Sequence, residues 1–190
     1  MKFAISALLI ALFLTVALPA QTIELGQKVF LSREGEITVV IDAALAAQKM
    51  DSPYVMFMAF FVAPAYQSLS IHRDDVALIY KGQEIKMPSY EEWRKNYRAA
   101  QSDLMIYNSL GKETLILSEL RNFYFPWEYD FFSILGREQR LTDEGSFSGM
   151  IGFRTKLYFK NPGFKKGEEF VITVRDRKNP EITGSCAVVF

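Results

Sequence analysis

The sequence has one cysteine and one histidine. A lone cysteine cannot close an internal disulfide, so the fold must stand on its core. Cys186 lies in the apolar run Cys186-Ala187-Val188-Val189-Phe190 and reads as a small buried hydrophobe. One His and one Cys exclude a His/Cys zinc site, because structural zinc takes four such ligands and catalytic zinc commonly three. A serine triad would have only His72 as its base, and no Gly-x-Ser-x-Gly elbow accompanies it. His72-Arg73-Asp74 matches the triplet of the protein-kinase catalytic loop. The Gly-rich phosphate loop, the partner Asn and the Asp-Phe-Gly of that enzyme class are all missing. No calcium loop of EF-hand spacing is present. The expectation is therefore no metal, no cofactor and no catalytic constellation.

An excess of one charge sign is missing as well. The chain carries 22 basic and 22 acidic side chains. That balance leaves no electrostatic footprint for nucleic acid, and no dense Lys/Arg cluster suggests a lipid surface. No Asn-x-Ser/Thr sequon occurs, which fits a bacterial envelope origin. Repeats, low-complexity tracts and long linkers are absent too.

What is present begins with a leader. Met1-Lys2 gives a positive start, Phe3 to Leu18 is apolar except for Ser6 and Thr15, and the run exits through Pro19-Ala20. A charged start, an apolar middle and a small-residue exit form a secretory signal peptide, with cleavage before Gln21. The stretch is shorter than the ~20 apolar residues of a membrane anchor, and Pro19 interrupts it. Residues 1–20 are expected to be removed. The mature chain, 21–190, is expected to be exported to the periplasm or beyond, with no membrane span of its own.

The mature chain reads as one strand-rich domain. Thr22–Leu31 is expected as a first strand. Ile37, Val39 and Ile41 alternate with Glu36, Thr38 and Val40, which predicts a half-buried strand. Ala43–Lys49 reads as a short helical turn. Tyr54–Ala63 is apolar throughout, sits between Pro53 and Pro64, and predicts a central strand covered on both faces. Short strands follow at Leu69–Ile71, Asp75–Tyr80 and Glu84–Met87, the last two joined by a Lys81-Gly82 turn.

Then the period changes. Ser89 and Glu92 form a capping box, and Trp93, Tyr97, Ala100, Leu104 and Tyr107 make one helical stripe up to the terminator Gly111. A single amphipathic helix is expected over 90–109. Strands are again expected at Glu113–Leu117, Gly149–Phe159, Glu169–Arg175 and Ile182–Phe190. In the long one, Ile151, Phe153, Leu157 and Phe159 would share a face. The whole predicts a mainly β fold, an antiparallel sandwich that is immunoglobulin-like in pattern, with one helix inserted between strands. The alternative is an α+β fold.

One segment stands out. Phe123-Tyr124-Phe125-Pro126-Trp127-Glu128-Tyr129-Asp130-Phe131-Phe132 is crowded with aromatics. As a strand it would place Phe123, Phe125, Trp127, Tyr129 and Phe131 on one face, though Pro126 argues for an edge or a loop. Three readings compete: a seal on the core, a face for a protein partner, or a platform for sugar. The candidate contact residues are Tyr124, Phe125, Trp127, Glu128, Tyr129 and Asp130. Tyr and Trp anchor protein interfaces. Carboxylates flanked by aromatics are what glycoside hydrolysis uses, so Glu128 with Asp130, or Asp143 with Glu144, are the acidic pairs to weigh. The leading expectation is an exported, non-catalytic interaction or structural module that contacts another envelope or secreted protein. The alternative is a carbohydrate-binding or carbohydrate-processing domain.

Overall fold

The computed structural model describes residues 22–66, 68–126, 129–134 and 141–190. The predicted leader lies outside the described residues, as do Trp127 and Glu128. Among the described residues, eleven strands form three antiparallel sheets.

The first sheet has the order β1 (Ile23–Gly26), β2 (Val29–Ser32), β3 (Thr38–Asp42), β4 (Tyr54–Val62) and β9 (Phe153–Lys160). The second has the order β11 (Thr183–Val189), β10 (Glu169–Arg175), β6 (Val76–Tyr80) and β7 (Gln83–Lys86). A small third sheet pairs β5 (Leu69–His72) with β8 (Glu144–Phe147). Phe57 of β4 meets Phe170 of β10 at 5.4 Å and Phe190 at 6.3 Å between ring centroids, so the first two sheets pack face to face. The order does not establish an immunoglobulin-like topology, because β1 to β4 stand side by side in one sheet.

The expected helix over 90–109 is broken into α2 (Tyr90–Asn96) and α3 (Ala100–Leu110). Its start and stop are as read: Ser89 Oγ accepts from Glu92 N at 3.1 Å, and Gly111 turns left-handed at φ 65°. Between the helices Tyr97 is extended, and its hydroxyl donates to Asp103 Oδ2 at 2.6 Å. In an unbroken helix six residues advance about 9 Å and about 600°, which would set these side chains on different faces. The break lets Tyr97 reach the buried Asp103, which also pairs with Lys49 and lies 3.5 Å from the Tyr158 hydroxyl.

The predicted strand Glu113–Leu117 is instead a helix, α4 (Glu113–Glu119). Ile116 and Leu120 are buried four residues apart while Leu117 is exposed, a helical spacing rather than an alternation. The predicted first strand is split into β1 and β2 by a turn in which Gln27 and Lys28 take positive φ. The long strand begins only at Phe153, because Ser148 and Ile151 close a tight turn and leave Ile151 exposed.

These helices, with the short α1 (Ala44–Gln48), cover the outer face of the first sheet. Tyr97 packs on Tyr54 of β4, and Trp93 packs on Tyr158 of β9. That third layer explains why β3 and β9 are buried on both faces where alternation predicted one. Cys186 is fully buried, which pushes its thiol up to about 12. No helix among the described residues is long and apolar enough to cross a membrane.

Candidate functional site

The aromatic segment divides its residues between core and surface without alternating. Phe125 is buried, its ring edge-on to Phe60 at 5.3 Å and seated against Gly152. Phe131 and Phe132 are both fully buried although they are neighbours. They straddle the free edge of β9: Phe131 packs on Phe153 at 5.3 Å, and Phe132 on Trp93 and Tyr158 at 5.2 and 5.3 Å. A chain that crosses a sheet edge can bury consecutive side chains on opposite faces, so the strand reading fails here. The neighbours Tyr124 and Tyr129 point outward, 68% and 56% exposed.

Asp130 ties the segment to β9. Its Oδ1 accepts from Lys156 N at 3.1 Å and from Thr155 Oγ1 at 3.0 Å, and its Oδ2 pairs with the Lys156 ammonium. Thr155 Oγ1 in turn accepts from Phe131 N at 3.0 Å. Burial pushes the Lys156 amine down to about 8, while the carboxylate against it works in the opposite direction. Bound in this way, Asp130 serves as a tether.

Beside the tether lies a cleft of about 280 Å³. Tyr107, Asn108, Tyr129, Asp130, Arg154 and Lys156 are among its walls. Arg154 is buried and ion-paired with Glu113 of α4; burial lowers its guanidinium to about 10. Behind it, burial holds the Tyr107 hydroxyl well above the usual tyrosine range, with the Asp42 and Glu113 carboxylates adding to the effect. Asp42 is itself raised by burial, against the hydrogen bond it accepts from Ala44 N. Among the described residues neither the Tyr107 hydroxyl nor Asp42 Oδ2, both buried, has a hydrogen bond of ordinary geometry. The cleft thus has an aromatic lip and a floor of neutralised charge pairs.

At the other end of the segment is a surface patch. Tyr124 N donates to Met150 O at 2.8 Å, and Gly152 N donates to Tyr124 O at 2.9 Å. This ladder sets Tyr124 beside Met150 and Ile151, which are 66% and 45% exposed. Phe125, one residue on, anchors the ladder in the core.

Of the remaining candidates, Asp143 pairs with Arg73 at 3.0 Å and Glu144 opens β8. Thr142 N donates to Asp130 O at 3.0 Å, so this stretch runs beside Asp130, but the Asp143 and Asp130 carboxylates are turned to different cations. His72 Nδ1 accepts from Asp74 N at 3.2 Å, capping a 3₁₀ turn over Arg73–Asp75. Among the described residues no group of three or more His, Cys, Asp or Glu side chains could hold a metal ion. Met150, Asn108, Arg154 and Lys156 escaped the sequence reading as site residues, and Ile151, expected on one face with Phe153, is exposed. Arg154 and Lys156 fall on the polar face of an alternating run, a pattern that reads as solvent and carries no local signal of a buried site.

The chain matches no family model, no curated protein and no solved structure.

Proposed function

We propose that this is an exported, non-catalytic interaction module that docks another envelope or secreted protein through Tyr124, Met150 and Ile151. The observation that carries the reading is that patch: three large apolar side chains held outward on a hydrogen-bonded turn with its neighbour Phe125 locked in the core. Pre-organised aromatic anchors lose little conformational entropy on docking, which suits them to interfaces. Export rests on the leader pattern of residues 1–20.

The test uses tagged mature chain, residues 21–190, as bait for the envelope of the producing cell, with Tyr124→Asp/Met150→Asp beside it. A stoichiometric partner captured by the first and lost by the second supports the module. Equal capture by both baits sinks this surface.

A second reading, sugar binding, is favoured by Tyr129, an exposed aromatic at the lip of a polar cleft. A glycan array reading a signal that Tyr129→Ala abolishes would shift the assignment to it.

A further inference from the structure

The break between α2 and α3 opens a second pocket, of about 350 Å³. Tyr90, Trp93 and Tyr97 wall it with aromatic rings, and Ile134 adds an aliphatic side. Arg94 and Arg98 stand at its rim; both are exposed, and neither forms an ion pair among the described residues. Among the described residues no acidic side chain lines it. The nearest carboxylate on α3, Asp103, is turned to Lys49 and Tyr97.

Two further features point to a ligand that accepts hydrogen bonds. Trp93 is 3% exposed, and its indole N–H is sealed with no acceptor among the described residues, so a ligand in the pocket meets it only if the ring shifts. Buried donors are rarely left in that condition. The start of α3 also borders the pocket, with Ala100 and Gln101 in its wall. Its N-cap is Ala99, which offers no side-chain acceptor to the free N–H groups of the first turn. Such a terminus favours negative charge.

We propose that this pocket binds a small aromatic carboxylate. The carboxylate meets Arg94, Arg98 and the start of α3, and the ring lies against the wall that Tyr90, Trp93 and Tyr97 form. Arginine suits that recognition because its planar fork matches a carboxylate in two hydrogen bonds. An inorganic anion would satisfy the cations and leave the aromatic walls bare. The site lies apart from the Tyr124 patch, so the two proposals stand or fall separately.

The mature chain contains two tryptophans, Trp93 and Trp127, so its indole N–H region in a proton–nitrogen correlation spectrum holds two signals. Trp127→Phe assigns the Trp93 signal. The probes are benzoate and 2-naphthoate, with benzamide, 2-naphthamide and inorganic phosphate beside them. The expected result is a saturable shift of the Trp93 signal with the carboxylates alone. Arg94→Gln/Arg98→Gln, both at exposed positions, should keep the dispersed spectrum and weaken binding by roughly tenfold or more, the loss of charge-assisted bonds. The proposal is overturned if neither carboxylate gives a saturable shift, if the amides or phosphate bind equally well, or if the double variant binds unchanged.

Discussion

Gly184→Ala should destabilise this protein more than a single methyl group suggests. Gly184 lies on β11 where the second sheet meets the start of β3, and it bridges Gly35. A Cβ built there falls well inside contact distance of the Ile37 carbonyl oxygen, and within 2.9 Å of Val39 Cγ2 and 3.0 Å of Ile37 Cβ. The obstacle is backbone, so no rotamer change relieves it. Relief requires β11 to move away from Ile37. That motion pulls on two hydrogen bonds to Thr183 O, from Glu36 N at 2.9 Å and Ile37 N at 3.0 Å. Overpacking costs about 1–3 kcal/mol, and stretching the two hydrogen bonds without breaking them adds about 1 in all, so the sum is roughly 2–4 kcal/mol. For a chain of this size that corresponds to a fall in Tm of roughly 5–15 °C. Calorimetry and urea melts on residues 21–190 measure it, with the outward-facing Ser185→Ala as control. If both variants lose under about 0.5 kcal/mol, β11 does not seat on β3 as described and the argument fails.

Asp130→Ala should cost about 3–5 kcal/mol, because it strands the Lys156 ammonium, 12% exposed, without a partner. Adding Lys156→Met should recover part of that loss; strictly additive losses in urea melts would show that the pair is not coupled. Glu168 accepts from Lys81 Nζ at 2.8 Å, from the Tyr80 hydroxyl and from Lys165 N, and the Lys81 contact leads in holding its carboxyl at about 2. Its folded pKa is depressed, so its contribution is present above about 4.5 and fades as pH falls toward 2. The gap in urea midpoint between the native chain and Glu168→Gln should therefore narrow over that window. A gap independent of pH would contradict the assignment.

Much of the sandwich was legible because strand signals are local. Tyr54–Val62 is apolar at every position and is buried at every position. Phe170, Ile172 and Val174 alternate inward on β10, and the Lys81-Gly82 turn takes positive φ at both residues, as a tight hairpin demands. The cap at Ser89 and the stop at Gly111 were equally readable, since each satisfies backbone groups within a few residues.

The helical layer and the candidate sites were not legible in the same way. No glycine or proline marks the break at Tyr97; a buried carboxylate brought from α3 decides it. Glu113–Leu117 has strand-like composition, and only the sheet beneath it selects the face that Ile116 and Leu120 bury. The aromatic segment shows the division most sharply. Composition alone established that residues 123–132 carry more aromatic surface than a turn needs. Which rings went inward was set by the free edge of β9, which takes Phe131 on one face and Phe132 on the other and leaves Tyr124 and Tyr129 in solvent. Local hydrophobic period determines whether a segment can be a strand or a helix; the partner that arrives from far along the chain determines which of its faces is inside.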